Sequence, residues 1–206
     1  MADAPDARDR ILDAAERAFS AQGLAGARVA AIAAEAGVNK AMLYYYFNSK
    51  DGLYEAVLTR MGDRLVAMAE AALGDQRLPP AERLFAFLDG YRALLARSPS
   101  FVRIVMQEIL TGGQHLPALI GPRLPRVLFP FWQCVQEGQA NGTLNPDLDY
   151  RITLPALIAP YVIFNAATTS IQGLLPVDAE SMRAPFDATV RALARGGVLR
   201  HPPEEA

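Results

Sequence analysis

The stretch Val29–Lys50, VAAIAAEAGVNKAMLYYYFNSK, leaves its backbone little choice. Val29, Ile32, Ala33 and Ala36 recur at helical spacing and predict a short helix with one apolar face. Gly37 follows at once. Glycine enters the left-handed conformation cheaply, so it ends the helix and turns the chain. Val38 is an apolar plug for the angle. Asn39 is a good N-cap, because its side-chain oxygen can accept a free backbone N–H of the next helix. That helix is predicted from Lys40 to about Phe47, with Leu43 and Phe47, four apart, turned into a core. Lys40, Met42, Tyr45 and Tyr46 are then left outward.

Large aromatics on a solvent-facing strip need a reason. A helix cannot bury Tyr44–Phe47 on all sides unless it is surrounded, so some of these rings are exposed. Tyrosine hydroxyls can donate to phosphate oxygens, and the rings can pack on sugars and thymine methyls. The basic residues point the same way. Lys40 and Lys50, at the two ends of this surface, are the only lysines; every other basic residue is arginine. A helix-turn-helix laid in a DNA major groove accounts for the whole pattern.

The segments IAAEAGV, NKAMLYYYF and NSKDGLYEAVL resemble the tetracycline-repressor (TetR/AcrR) family of bacterial transcription regulators. The resemblance covers about the first quarter of the chain closely and the rest in architecture. It implies that Lys40, Ala41 and Met42 approach base edges, and that Tyr45 and Tyr46 contact phosphates. By the same resemblance Tyr44 packs inside and Lys50 grips a phosphate. Three positions depart from the family pattern. Ala27-Arg28 stands where a capping Thr or Ser is usual, which leaves Arg28 to reach the phosphate. Ala41 replaces a frequent Gly, and Asp51-Gly52 replaces Glu-Glu. The predicted fold is all-α, with a DNA-binding domain over 1–50 (Asn39 its internal cap) and a helical effector-binding and dimerisation domain over 51–206.

Composition agrees with this reading once it is taken locally. Net charge is −2 and the pI about 5.7, unlike the basic footprint common among DNA binders. Between Gly26 and Lys50, however, Arg28, Lys40 and Lys50 face only Glu35. Acidity elsewhere suppresses binding to random DNA. Cys134 is the only cysteine, so no internal disulfide forms, and His115 and His201 show no metal-ligand spacing. No cofactor is expected. The acidic N-terminus lacks an apolar signal segment, which predicts a cytoplasmic protein. The uncharged run from Ile152 to Val177 carries Pro155, Pro160 and Asn165, and predicts a helix buried in an interface rather than a membrane span.

Further helices are predicted over Asp9–Gln22, ended by Gly23, then Lys50–Leu73, Ala81–Arg97 and Ser100–Leu110. An irregular Pro117–Asn141 helix with Pro122, Pro125 and Pro130 follows, then Asp149–Gly173 and Glu180–Gly196. The resemblance implies that the last two long helices pair with a second subunit. Small residues Ala156, Ala159, Ala167 and Ser170, with Ile171 for bulk, suit that interface. A pair of subunits reads two half-sites about 34–36 Å apart, or a multiple of that. For a small apolar effector the candidate residues are Phe101, Met106, Phe129, Trp132, Tyr161 and Phe164, with Gln107, His115 and Asn165 as polar anchors and Met61 and Leu65 as a floor. Catalysis would fall to Glu108, His115 and Cys134, but no nucleophile–base spacing or phosphate loop supports an enzyme. The remaining alternative is a helical ligand-binding or interaction protein whose DNA surface is vestigial.

Overall fold

The computed structural model describes residues 6–170 and 179–199. Among them it contains ten helices and no strand, only an isolated antiparallel bridge between Leu144 and Leu199. Contacts divide the chain into two compact units, 1–64 with 98–124 and 65–97 with 125–206. This division follows packing and cuts through one helix.

The first unit is built on α1 (Ala7–Gly26), which packs against α2 (Val29–Glu35), α3 (Lys40–Phe47) and α6 (Pro99–Leu110). Ile11, Leu12, Ala15 and Phe19 are buried along α1, as their spacing predicts. Gly23 ends the regular helix, as expected. It breaks the ladder at φ 69°, ψ 173°, and one further turn follows before Ala27 N–H caps back onto the Gly23 carbonyl at 3.2 Å. The core adds Ile32, Leu43, Phe47, Leu53, Tyr54 and Val57. Each buried aliphatic or Phe side chain contributes about 1.5–3 kcal/mol before conformational entropy is charged against it. The first part of α4 (Lys50–Leu73) belongs here, as does α7 (Leu116–Ile120). The α4–α7 approach depends on Gly62: a Cβ there would lie 2.1 Å from the Leu119 carbonyl oxygen. Arg123 closes the same corner, donating to Asp63 at 2.7 Å and to the Ala118 carbonyl at 3.2 Å.

A buried carboxylate ties three of these helices together. Glu16 on α1 accepts from Arg60 at 3.0 Å and Arg64 at 2.9 Å, both on α4, and from the Ser100 hydroxyl on α6. Burial works against its charge, but the Ser100 hydroxyl and the two guanidinium groups outweigh that and hold the carboxyl below its ordinary value.

The second unit holds the rest of α4, α5 (Pro80–Arg97), nearly all of α8 (Leu124–Ala140), α9 (Tyr150–Ser170) and α10 (Ala179–Val198). The predicted Pro117–Asn141 helix is two helices, parted at 121–123. Gly121 caps α7, and Pro125 falls in the first turn of α8, where a missing N–H costs nothing. Pro130, Pro155, Pro160 and Pro185 sit inside helices. The turn predicted at Asn145-Pro146-Asp147 is present, with Asp147 N–H on Asn145 Oδ1 at 2.9 Å. Buried Arg83 meets Glu137 and the Leu73 carbonyl. The predicted end of the Asp149–Gly173 helix, Ile171–Gly173, lies outside the described residues. No described helix is long and apolar enough to cross a membrane.

Replacing Glu16 by Gln should leave two partly buried guanidinium groups facing a neutral amide and destabilise the protein by about 3 kcal/mol in urea melts. The sign with pH follows from the lowered carboxyl. Its contribution is complete above the ordinary carboxyl value of 4.5 and lost as pH falls through the folded value. The stability gap between wild type and Glu16→Gln should therefore narrow on acidification below that value; a gap independent of pH would contradict the assignment.

Candidate DNA-binding surface

The turn between α2 and α3 is set as the sequence predicts. Gly37 has φ 66°, and Val38 N–H bonds to the Ala33 carbonyl at 3.0 Å. Asn39 Oδ1 accepts Met42 N–H at 2.8 Å and starts α3. Arg28 occupies the cap position of α2 without a side-chain cap bond, and its side chain is exposed. Leu43 and Phe47 are buried and fix the rotation of α3 about its own axis. Lys40, Ala41, Met42 and Tyr45 are exposed, Tyr45 by 81%, and Tyr46 is half-buried. The Tyr45 and Tyr46 rings meet edge to face at 5.3 Å.

Tyr44 corrects the expectation that it packs inside. It is 39% exposed, and its ring lies 5.7 Å from the Lys40 ammonium. The reason is helical geometry. Tyr44 is four residues after Lys40 and shares its outward strip, whereas the inward strip is already filled by Leu43 and Phe47. The cation–π contact holds the lysine and the ring together on the surface.

The other end of the surface is a compact turn. Asn48 takes φ 60°, and Ser49 Oγ accepts Gly52 N–H at 2.9 Å, so Ser49 caps α4. Gly52, one of the departures from the family pattern, is required by space: a Cβ would sit 2.3 Å from the Phe47 carbonyl oxygen. Lys50 donates to the Ala25 carbonyl at 3.0 Å, with its ammonium still exposed. Glu35, the lone acid of the segment, is paired with Arg17 at 2.6 Å. Two arginines outside the segment also bear on it. Arg10 donates to the Ala36 carbonyl at 3.2 Å, and Arg8 lies 5.5 Å from the Phe47 ring centroid. Sequence reading missed both; their position one turn into a helix that ends just before the motif was the available signal.

The effector candidates are divided between the units. In the first, Met61 and Phe101 are buried and Met106 half-buried. Gln107 and His115 line a cavity of about 590 Å³. In the second, Leu65 is half-buried and Tyr161 buried. Phe164 stacks on Phe186 at 4.0 Å, and the Asn165 amide donates to the Tyr161 carbonyl at 2.8 Å. Phe129 and Trp132 lie on the outside of α8, 57% and 36% exposed, beside Tyr150. Ala156 borders an apolar groove of about 730 Å³ between α9 and α10, with Ile152, Pro160, Phe186 and Leu193. Ala159 is exposed nearby in sequence and Ala167 half-buried. Nothing is described of the Ser170 side chain or of Ile171.

The suggested catalytic residues show no activated nucleophile. Glu108 Oε1 accepts from the Tyr54 hydroxyl at 2.8 Å and lies 3.3 Å from His115 Nδ1. Cys134 is buried with its thiol on the Pro80 carbonyl at 3.2 Å, and burial pushes that thiol up to about 11.

A capped recognition helix with exposed aromatic and basic side chains, held by a three-helix unit, defines a helix-turn-helix DNA-binding protein. Comparison with known proteins agrees. Residues 11–57 match the model of the bacterial regulatory proteins, tetR family. The chain is 32% identical over 189 residues to the transcriptional repressor NicS of Pseudomonas putida, covering 87% of this chain and 85% of that one. It is 27% identical to the repressor DhaR of a Mycobacterium, covering 87% and 86%. The fold matches that of the regulator FadR from Bacillus subtilis, solved with stearoyl-CoA, with a TM-score of 0.70 at 20% identity, over 91% of this chain and 98% of that one. The protein belongs to the TetR family and is a DNA-binding transcription regulator.

Two substitutions separate the local devices. Asn39→Ala should cost about 1 kcal/mol through loss of the cap. Gly52→Ala should cost more, roughly 1–3 kcal/mol, because backbone must shift to admit the methyl. Chemical denaturation would rank them, and an Ala at 52 as stable as wild type would refute the close approach.

Proposed function

We propose that the protein is a homodimeric repressor that binds a palindromic operator and is released by a small, mainly apolar effector. The observation that carries the reading is the outward strip of α3, Lys40, Ala41, Met42, Tyr44 and Tyr45, presented on a helix whose start and rotation are both fixed. In this reading Lys40, Ala41 and Met42 meet base edges. Tyr44, Tyr45 and Tyr46 contact phosphates, sugars and thymine methyls. Arg28 and Lys50 flank them on phosphates; Lys50 keeps two ammonium protons beyond the one given to Ala25. The repressor function of NicS and DhaR supports the sign of regulation.

Dimerisation is assigned to α9 and α10. Ile152, Ile163 and Leu193 are largely exposed there beside Ala156 and Ala159, an apolar face that a second copy would cover. The stearoyl-CoA of FadR supports an apolar effector, for which Tyr161 and Phe164 of the second unit are the candidates. An effector coupling of about 1–3 kcal/mol would weaken operator binding roughly 5–150-fold. A regulator of this kind acts in the cytoplasm.

The test is a fluorescence titration of the protein against DNA flanking its own gene, beside random DNA of equal length. Selective binding is expected, with Lys50→Ala lowering the slope of log affinity against log salt by about 1. Tyr45→Ala with Lys50→Ala should weaken binding by roughly tenfold or more while the melting curve is unchanged. Undiminished selective binding by that double variant would overturn the assignment of the surface. In sedimentation, Leu193→Arg should shift the protein from dimer to monomer; an unchanged mass would place the interface elsewhere.

A further inference from the structure

The cavity of about 590 Å³ in the first unit is not explained by DNA contact or by an apolar effector. It is bounded by the broken last turns of α1 around Gly23, by Tyr54 near the start of α4, by Gln107, Glu108 and Thr111 at the end of α6, and by Gln114 and His115. We propose that it is a binding site for a small organic cation, such as an amidinium or ammonium compound. The inference goes beyond the proposed function and does not depend on it.

Three observations carry it. First, the charge of the lining is negative. Among the described residues Glu108 is its only carboxylate, 4% exposed, and no lysine or arginine lines the cavity. Gln114 Nε2 lies 3.3 Å from His115 Nε2, and His115 Nδ1 lies 3.3 Å from Glu108 Oε1. The Lys50 ammonium is engaged by the carbonyl of Ala25, one of the lining residues. Second, α1 and α6 both end at this cavity, and helix C-termini carry partial negative charge. Third, among the described residues Gln107 Oε1 is a buried acceptor without a partner. The amide cannot be turned to relieve it, because its nitrogen must face the Ser20 carbonyl, 3.4 Å away. A ligand that brings N–H donors satisfies what the walls lack, and the Tyr54 ring adds an aromatic surface for a cation.

Glu108 is already organised to receive it. Tyr54 O–H and His115 N–H, the latter at 3.1 Å, hold its two oxygens in place. Burial, followed by the neighbouring carboxylate, pushes the Tyr54 phenol upward, so it stays a donor.

The test is calorimetry on the full chain at neutral pH with three probes of one shape: benzamidinium, neutral benzamide and anionic benzoate. Benzamidinium should bind roughly tenfold or more tighter than benzamide, and benzoate should give no heat. Gln114→Lys places a charge at the exposed rim without disturbing the core, and should weaken benzamidinium roughly fivefold or more. Glu108→Gln should weaken it further. Equal binding of amidinium and amide, no heat from benzamidinium at millimolar concentration, or an affinity untouched by Gln114→Lys would each overturn the proposal. None of these readouts involves DNA, so failure here leaves the regulator reading intact, and failure of operator binding leaves this site intact.

Discussion

Glu16 is one carboxylate with three demands on it. It sits near the middle of α1, and Arg60, Arg64 and Ser100 reach it from two other helices. Apolar contacts bring α1, α4 and α6 together without direction, because burial of surface has no preferred angle. A charged group with several partners does have one. The position of α1 relative to α4 and α6 therefore rests on this group, and α2 and α3 rest in turn on α1. The presentation of Lys40 and Tyr45 to solvent is the last consequence of a bond network several residues deeper.

Within that frame the recognition helix is defined by local chemistry. Gly37 turns the chain, Asn39 starts the helix, and Leu43 with Phe47 sets its rotation. These devices act within a few residues of one another, which is why they are legible in the sequence alone. The α4 boundaries, Lys50 and Leu73, were legible for the same reason: Ser49 caps one end, and Gly74 follows the other.

What was not legible depended on distant parts of the chain. The spacing of apolar residues could not show that Arg60 and Arg64 share Glu16, or that Gly62 admits the backbone of Leu119. Gly23 read as a stop and does break the ladder, but the further turn after it was not visible. The prolines after residue 116 signalled irregularity but not a division into α7 and α8. Tyr44 is a different failure. The family resemblance placed it inward, whereas in the structure it lies four residues after Lys40 on the same outward strip. Among the effector candidates, size and hydrophobicity singled out Phe129 and Trp132, which lie on an outer face of α8, and overlooked Phe186, which covers Phe164.

Lys50 has a thermodynamic meaning beyond its charge. A free lysine side chain samples many rotamers, and immobilising it costs up to about 2 kcal/mol of conformational entropy. Here the ammonium is already held by the Ala25 carbonyl, so this freedom is surrendered when the protein folds. A phosphate that docks against it meets an ordered donor and exacts no further loss at that position. Chemical acetylation of this amine would remove the charge and leave a single amide N–H in place of three ammonium donors.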